Sequence, residues 1–537
     1  MRHLLERFGG FLPSLVALTL PITSIPIASD SYILPRASIV IAGACLGVGL
    51  AVVLPERHGL GALRWPLAAA AAAAVLAFAF SISWPLGFIG SYTRYESLPM
   101  RLAYLGLAAS TIWLLRTSRQ RELVGTACVL GTTLVAFKAW LQWFNHAPFR
   151  PDGDLGNANL LAALVVMAIP IAIERGRRAD YFTFLWAVAI VVLIAGLAVT
   201  TSRSGALGLV AGCAVWLTMS APRRLAIPIG AASAAALVAA LGFVFLSPLR
   251  GLNDDPPELR LNLWTDALRM IAARPITGWG EDSTGLAFGQ FLRSDYAGLV
   301  TFDRVHSGPL EIAATQGILG LAALAWVAVA IGLAAWRGRD GLNVPGLAGA
   351  LAGYSVWVFF NFDWAPATGA FWLLAGTLWS TTLPPPLGGR VGEQSTGEAR
   401  DSAPSLTRSA RRGLSWQPVA AGALVVVAVV LAVLPVLADI WYLKGRADLA
   451  VRVDPLQAQY HWSLGQGLVA KQDLRGGVAE LARAADLGET EPSLYVELGD
   501  RQAQLGDLDA ARSAYRRALA IDPYYTPARQ RLAALPA

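Results

Sequence analysis

Thirteen apolar runs, each long enough to cross a bilayer, dominate this 537-residue sequence. A transmembrane helix needs about 17–25 mostly apolar residues. The runs lie near residues 11–29, 37–54, 66–83, 99–115, 122–143, 158–173, 181–200, 204–220, 225–246, 308–336, 344–362, 366–383 and 417–440. Because lipid cannot satisfy backbone polar groups, such runs cross as helices. The pattern predicts an all-α, polytopic membrane protein of about 12–13 transmembrane helices.

The composition agrees with this fold class. Hydrophobic residues make up 55% of the chain and charged residues 15%, whereas soluble domains carry about 25% charged residues. The net charge of +7 could suggest nucleic acid, but the arginines fall in short loops between apolar runs, so no nucleic-acid partner is expected. Cys45, Cys128 and Cys213 lie inside apolar runs without paired spacing, which predicts neither a disulfide nor a zinc site.

The distribution of arginine predicts the orientation. With the N-terminus in the cytoplasm, 19 arginines lie in cytoplasmic segments, whereas the short loops opposite carry four and a fifth, Arg101, lies at the mouth of the fourth span. Positive charge favours the cytoplasmic side. We therefore expect a multi-pass protein of the bacterial inner membrane, with a cytoplasmic N-terminus. The long loop at about 247–307 and all residues after the last span would be periplasmic.

The composition along the chain divides it into four segments. Residues 1–383 form a transmembrane domain, and residues 384–416 are rich in Pro, Gly, Ser and Arg. Such a composition predicts a disordered linker, here on the cytoplasmic side. An additional transmembrane helix at 417–440 leads to a polar C-terminal region, residues 441–537.

The C-terminal region repeats with a period of 34 residues. Leu464 and Gly465 correspond to Leu498 and Gly499, and Ala484 corresponds to Ala518. This period, with Gly, Ala and Pro at fixed places, resembles the tetratricopeptide repeat, a helix–turn–helix unit. The concave face of such a stack binds a protein or a chain segment; the alternative is a packing or dimerisation cap.

Polar clusters interrupt the apolar chain, and the predicted topology places all of them on one face of the membrane. They are "GSYTRYESLP" (90–99), "FRPDGDLGNANLLA" (149–162), "TTSRSGALGL" (200–209), "ELRLNLWTDALRMIAARPITGWG" (258–280), "DRVHSGPLE" (303–311) and "NFDWAPATGA" (361–370). The convergence of separate segments on one face predicts a functional site there.

Arg203 lies in the tight turn "TTSRS", at or just inside the bilayer surface. A cation at that depth needs an anionic partner. Asp363 or Glu311 could be that partner, and the alternative is a phosphate or diphosphate, which guanidinium groups bind through paired hydrogen bonds. In the long loop, Arg260 and Arg304 are further candidates, although Arg260 could instead be shielded by Trp264 one helical turn away.

His306 is the histidine placed among such charged groups. Near neutral pH an imidazole can take a proton from a hydroxyl; the alternative is a helix cap or a surface histidine. His146 is a weaker second candidate, whereas His461 resembles a surface residue. Glu311 is better explained as a buried partner of an arginine than as a catalytic group.

The remaining polar groups constrain the chemistry. Asn157 and Asn159 in "GNAN" could cap the sixth span or bind a polar ligand. No GxxxxGK[ST] motif is present, which argues against an ATP-driven pump. No acidic pair stands clearly at the outer face, so neither a metal nor a cofactor is predicted. A membrane-borne donor that is already activated, such as a polyprenyl diphosphate-linked sugar, fits these features.

The ordered set "GNANLLA", "TTSRSGALGLVAG", "PITGWG", "RVHSGPLEIAATQGILGLAA" and "FNFDWAPATGAFWLLAG" resembles the O-antigen ligase and O-antigen polymerase family of membrane glycosyltransferases. The resemblance implies a GT-C-like fold and a metal-independent transfer, with inversion, of a glycan from undecaprenyl diphosphate. It implies that Arg203, with Arg260 or Arg304, binds the diphosphate and that His306 activates the acceptor hydroxyl. Supporting roles would fall to Arg94, Asn157, Asn159, Glu311 and Asp363.

The extra span and the repeats leave the acceptor open. It could be lipid A–core, as for a ligase, another lipid-linked glycan, as for a polymerase, or a protein hydroxyl, as for a protein O-oligosaccharyltransferase. Two other classes are a flippase for lipid-linked sugars and a scaffold of envelope polysaccharide assembly that binds a protein partner through its repeats.

Overall fold

A computed structural model describes residues 9–54, 59–178, 182–246, 257–295, 302–383 and 416–536. Within these ranges the chain is helical, with no β-strand. The helices of the first part are α1 Leu12–Ile22, α2 Ile33–Val53, α3 Arg64–Ala79, α4 Trp84–Ile89, α5 Leu98–Leu114, α6 Ser118–Phe144, α7 Ala158–Gly176, α8 Thr183–Thr200, α9 Arg203–Ser220, α10 Arg223–Leu246, α11 Pro257–Ala273, α12 Thr284–Ala287, α13 Gly308–Arg337, α14 Val344–Phe359 and α15 Ala365–Thr382.

The second part begins with an added apolar helix. It consists of α16 Trp416–Ala428, a π-helical turn Val429–Val433 and α17 Leu434–Leu443. The helices after it are α18 Ala447–Val453, α19 Ala458–Ala470, α20 Leu474–Asp486, α21 Pro492–Gln504, α22 Leu508–Ile521 and α23 Thr526–Ala534. The predicted linker at 384–416 lies, except for its last residue, outside the described residues.

Every predicted apolar run contains a helix. In the described part of the chain, eight helices are long and apolar enough to cross a membrane, and three shorter apolar helices accompany them. The prediction of an all-α, multi-pass membrane protein is therefore confirmed. The helices α4 and α12 are short, and α11 carries charged residues such as Arg260 and Asp266, so all three belong to the loops between the long helices.

Successive long helices alternate in direction, which gives the bundle two chemically different ends. At one end, which we call the arginine-rich end, Arg175 pairs with Glu122 and Arg223 pairs with Asp340. The other end, which we call the polar end, consists of the loops at 23–32, 80–97, 145–157, 201–202, 274–295, 302–307 and 360–364. The polar clusters singled out in the sequence thus meet at one end of the bundle.

Two helices approach each other closely because both carry glycines four residues apart. A Cβ atom on Gly208 of α9 would lie 2.7 Å from the carbonyl oxygen of Gly353 in α14, and one on Gly212 would lie 2.8 Å from that of Gly349. Small residues at this spacing allow transmembrane helices to pack backbone to backbone. The packing fixes the start of α9 beside the end of α14, and both lie at the polar end.

Helix α13 is kinked at Gly317, whose φ of +66° lies in the left-handed region. The segment 275–280, "PITGWG", occupies the kink: Trp279 and Gly280 donate backbone hydrogen bonds of 2.9 Å to the carbonyls of Ala314 and Thr315. A side chain on Gly317 would collide with the Ile276 carbonyl. The kink therefore anchors the loop that follows Gly280 against the first turns of α13.

The C-terminal helices form two helix–turn–helix pairs, α19 with α20 and α21 with α22, followed by α23. The repeated glycines lie at the crossing of each pair: Gly465 packs on Leu481, and Gly499 packs on Tyr515. His461, which the sequence suggested to be a surface residue, is instead 6% exposed. Its ring nitrogens contact Glu480 at 2.6 Å and the Pro455 carbonyl at 3.0 Å.

The repeats pack on the polar end of the bundle. The backbone of Gly289 lies against Ile521 at the end of α22, and Gly285 lies against Thr490. Asp439 of α17 is fully buried and accepts hydrogen bonds from Tyr92, from Tyr460 of α19 and from the Asp30 backbone. The added helix and the repeats are thereby attached to three loops of the transmembrane part, those at 23–32, 80–97 and 274–295.

Candidate functional site

The loop Phe360–Trp364, between α14 and α15, lies at the centre of the polar end. Its residue Asn361 is buried and donates a hydrogen bond of 2.9 Å to the Ser204 hydroxyl. Ser202 caps α9 by accepting from the Gly205 backbone at 3.2 Å, and its hydroxyl lies 3.2 Å from that of Ser204. Arg203, half-buried at the first position of α9, is therefore flanked by two serines whose positions are fixed.

Asn157 and Asn159 support the same arrangement from α7. The Asn157 side chain caps α7, which is one of the two predicted alternatives. It accepts a hydrogen bond of 2.8 Å from the Asn159 backbone. Asn159 in turn accepts a hydrogen bond of 2.9 Å from the Ser202 hydroxyl. Both asparagines thus position the turn that carries Arg203.

Arg260 approaches the loop from α11. Its guanidinium donates a hydrogen bond of 3.0 Å to the Phe360 carbonyl. Trp264, one turn along the helix, packs on the rings of Phe359 and Phe360, with centroid distances of 6.0 and 6.1 Å. Arg260 and Trp264 thus contact the same short segment. Arg260 therefore lies next to Asn361, the loop residue that contacts Ser204.

His306 approaches the loop from the segment before α13. Its ring meets the Phe362 ring edge-on, with a centroid distance of 5.3 Å. The φ angle of His306 is +50°, an uncommon conformation outside glycine that recurs at functional sites. The guanidinium of Arg94 lies over the rings of Phe362 and Trp364 and pairs with Asp303 at 2.6 Å. His306 and Arg94 thus contact the same loop side chain.

Arg304 and Glu311 hold the His306 segment in place. Glu311 is buried and accepts hydrogen bonds from the Val305 backbone at 2.9 Å and from Thr284 at 2.8 Å. Arg304 pairs with Glu311 at 3.3 Å and also with Asp282. The prediction that Glu311 is a buried partner of an arginine agrees with this geometry, but the partner is Arg304 and not Arg203.

The prediction that Arg304 binds a diphosphate does not fit the structure. Its side chain is 1% exposed, and it is enclosed by two protein carboxylates. A ligand could reach it only if this ion pair opened. These ion pairs hold the segment that carries the neighbouring His306.

Asp363 belongs to a second buried cluster, which the sequence did not predict. It pairs at 2.6 Å with Arg101, which also pairs with Glu281 at 3.2 Å and lies 3.7 Å from Glu96. The sequence predicted Asp363 as a possible partner of Arg203. Because Asp363 lies two residues after Asn361 in an extended loop, its side chain pairs with Arg101 instead. Burial raises the pKa of the Glu96 carboxyl to about 7, although the Arg101 guanidinium opposes the shift.

An acidic pair does stand at the polar end, contrary to the sequence expectation. Glu281 and Asp282 follow "PITGWG" directly, and both are buried. Each pairs with a different arginine, Arg101 and Arg304. Among the described residues, no group of three His, Cys, Asp or Glu side chains could hold a metal ion, and metal independence stays a prediction.

Two known protein families match parts of the chain. Residues 188–325 match the family model for O-antigen ligase, and residues 492–535 match that for the tetratricopeptide repeat. The chain carries an O-antigen ligase domain. The matched segment includes Arg203, Arg260 and His306, which the structure brings around the loop Phe360–Trp364. No curated protein matches the chain.

The O-antigen ligase match confirms the resemblance drawn from short motifs and identifies a ligase-type or glycosyltransferase-type function in general terms. Several contributors to the site lie outside the matched segment: Arg94, Asn157, Asn159, Asn361 and Asp363. Sequence reasoning missed Ser202, Ser204 and Asn361 as connecting residues. The signal was available in principle, since uncharged polar side chains flank the key residues in "TTSRS" and "FNFD".

Proposed function

We propose that this protein transfers a glycan from undecaprenyl diphosphate to an acceptor hydroxyl at the polar end of the bundle, on the periplasmic side of the inner membrane. The observation that carries the proposal is the loop Phe360–Trp364. It joins Arg260, the serines beside Arg203, and His306 around one short segment. Cations and an imidazole that meet at one end of a membrane bundle suit a lipid-borne diphosphate and a hydroxyl acceptor.

Arg203 and Arg260 are the proposed diphosphate ligands. Arg203 occupies the first position of α9, where the helix dipole favours an anion. Guanidinium groups add paired, charge-assisted hydrogen bonds to phosphate oxygens. Stabilising the charge that develops on the leaving diphosphate is usually the largest contribution to such a reaction.

The proposed step is a single displacement. The acceptor oxygen forms a bond to the anomeric carbon of the donor glycan, and the bond between that carbon and the diphosphate oxygen breaks. The electron pair leaves with the diphosphate, while the hydroxyl proton moves to the His306 imidazole. A single displacement inverts the anomeric configuration. Proton transfer of this kind typically contributes about 10²–10⁴-fold to the rate.

The tetratricopeptide repeats are proposed to bring a protein partner to the same end of the bundle. Support comes from their contacts with Gly285 and Gly289, close to the segment that carries His306. Their periplasmic location can be tested with Lys471→Cys, an exposed position. A membrane-impermeant maleimide should label it in cells whose outer membrane has been opened but whose inner membrane is intact.

The function is tested with purified protein in nanodiscs, a lipid-linked oligosaccharide donor and a panel of acceptors, read by mass shift. Arg203→Ala should abolish transfer. Arg223→Ala is the matched control, because Arg223 forms an exposed ion pair at the arginine-rich end, and it should retain transfer. Transfer that survives Arg203→Ala unchanged, or depends on added nucleotide, would contradict the proposal.

A further inference from the structure

A cavity lies where the added helix and the repeats meet the transmembrane part. Its volume is about 260 Å³. It is bounded by α2, the loop at 80–97, the π-helical turn after α16 and the turn that joins α18 to α19. Ligand pockets usually measure about 300–1,000 Å³, so this cavity has room for a single chain with its polar group and not for a whole phospholipid.

The end of the cavity that lies between the membrane helices is apolar. Leu34, Ala37 and Ile41 line it from one face of α2, over roughly 10 Å of helix. Val430 and Leu431 of the π-helical turn line it from the added helix. Val430 is exposed on a helix that is apolar and mostly unburied, so a hydrocarbon chain could enter the cavity from the lipid beside this residue.

The opposite end of the cavity carries polar side chains that lack partners. Gln457, just before α19, is 3% exposed, and its side-chain amide forms no hydrogen bond with any described residue. Tyr95 and Ser38 also line the cavity, and their buried hydroxyls have no hydrogen-bond partner in the part of the chain that the structure describes. Because buried polar groups are almost always hydrogen-bonded, these three side chains around one cavity indicate a ligand with hydrogen-bonding groups.

The charge at this end disfavours an anionic ligand. Asp454 lines the cavity, is 8% exposed and accepts one long hydrogen bond, of 3.4 Å, from the Leu456 backbone. Burial raises the pKa of the Asp454 carboxyl to about 6, so this carboxyl is mostly ionised at neutral pH. Among the described residues that line the cavity, none is a lysine or an arginine. A buried carboxylate without a cation favours hydrogen-bond donors and repels phosphate.

We infer that this cavity binds one chain of a membrane lipid whose head group donates hydrogen bonds and carries no net negative charge. The hydroxyls of an acylglycerol and the ammonium group of phosphatidylethanolamine both have this chemistry. The chain would lie between α2 and the π-helical turn, and the donors would lie at Asp454 and Gln457. A π-helical turn is rare and often marks a functional site. The lipid site shares no residue with the proposed transfer site.

A lipid in this cavity would stabilise the attachment of the repeats, because it would contact three parts of the chain at once. Ala37 belongs to the transmembrane part, Val430 to the added helix and Gln457 to the repeats. A ligand that binds only the folded state raises the stability of that state. We therefore expect lipid binding to raise the melting temperature of the full chain.

The test uses the full chain, purified in detergent and freed of lipid, with three added lipids that carry the same acyl chains. Monooleoylglycerol supplies hydroxyls, dioleoyl phosphatidylethanolamine supplies an ammonium group, and dioleoyl phosphatidylglycerol is the anionic comparison. Native mass spectrometry measures retained lipid, and thermal unfolding measures stabilisation. At least one of the first two lipids should bind as a single molecule per chain and raise the melting temperature, and which of them binds identifies the head group. Phosphatidylglycerol should bind at least tenfold more weakly.

Two pairs of variants place the bound lipid in the cavity. Gln457→Leu removes the amide at nearly constant size, and Gln504→Leu, at an exposed position of the second helix pair, is its control. Val430→Trp narrows the apolar end, and Val426→Trp is its control, because Val426 is exposed on the same helix and lies outside the lining. Gln457→Leu and Val430→Trp should each weaken lipid binding at least tenfold, whereas both controls should bind as the wild type does.

Three results would overturn the inference. The first is that neither monooleoylglycerol nor phosphatidylethanolamine is retained by the wild type. The second is that phosphatidylglycerol binds as tightly as they do. The third is that lipid binding is the same in each variant and its control, which would place the lipid elsewhere on the membrane surface of the protein.

Discussion

The Asn361 side-chain amide donates a hydrogen bond of 2.9 Å to the hydroxyl of Ser204, 157 residues earlier in the chain. This bond joins the loop after α14 to the residue that follows Arg203. It forms where α9 and α14 pack through their glycines, so helix packing and the position of Arg203 are linked.

Removing the Asn361–Ser204 bond should lower activity through the position of Arg203. Asn361→Leu and Ser204→Ala should each reduce kcat/KM for the donor by about 10-fold, since a lost buried hydrogen bond costs about 1–3 kcal/mol. In the double variant the losses should not add, because both changes remove the same interaction. Steady-state kinetics of the four proteins measure the coupling; strictly additive losses would show that the bond does not position Arg203.

Replacing His306 by asparagine should separate chemistry from folding. Asparagine tolerates the left-handed backbone conformation better than most residues, so His306→Asn should retain the melting temperature while kcat falls by about 10²–10⁴-fold. His146→Asn is the matched control, because His146 is an exposed histidine with a φ of +55°. Activity lost equally in both variants, or retained in His306→Asn, would remove His306 from the proton-transfer step.

Arg304 and Arg203 should respond in opposite ways to the same truncation. Arg304→Ala leaves the buried carboxylates of Asp282 and Glu311 without their cation, and breaking a buried ion pair in this way costs about 3–5 kcal/mol. Thermal unfolding in detergent should show a large loss of stability. Arg203→Ala should leave the melting temperature nearly unchanged and abolish transfer. A stable but inactive Arg304→Ala protein would restore Arg304 as a candidate ligand of the diphosphate.

The stability of the protein should fall as the pH rises towards neutrality because of Glu96. Its pKa is raised by burial from 4.5 to about 7, so the folded state holds the proton over a pH range in which the unfolded chain has released it. The resulting loss begins near pH 4.5 and is complete above pH 7, and it amounts to about 3 kcal/mol.

Glu96→Gln tests this assignment, because glutamine can still accept the hydrogen bond from Tyr104. The variant should be more stable than the wild type at pH 8 and similar to it at pH 4.5. Melting temperatures measured across this range check the prediction. If both proteins lose stability in parallel as the pH rises, another group is responsible.

The helices were predictable from sequence because lipid allows an apolar segment few alternatives to a helix. Arg203, Arg260 and His306 were predictable as candidates because each is a polar residue in a short segment at one end of the bundle. The partners of the buried charges were not predictable. Asp363 and Arg101, for example, are 262 residues apart, and their pairing depends on how α5 and α15 pack.

An apolar groove next to Arg101, between α3 and α13, was also hidden in the sequence. Its lining combines residues from five helices, and the lining residues of α13 lie on both sides of the kink at Gly317. A glycine inside an apolar helix indicates such a kink weakly. The "PITGWG" segment that occupies the kink is recognisable only once the fold is known.

The most direct test of the account is the affinity of the protein, in nanodiscs, for undecaprenyl diphosphate compared with undecaprenyl monophosphate. The wild type should prefer the diphosphate, Arg203→Ala and Arg260→Ala should each weaken its binding at least tenfold, and His306→Asn should bind it as the wild type does. Diphosphate affinity that is unchanged in both arginine variants, or that is lost in His306→Asn alone, would contradict the claim that these arginines bind the donor while the imidazole serves the acceptor.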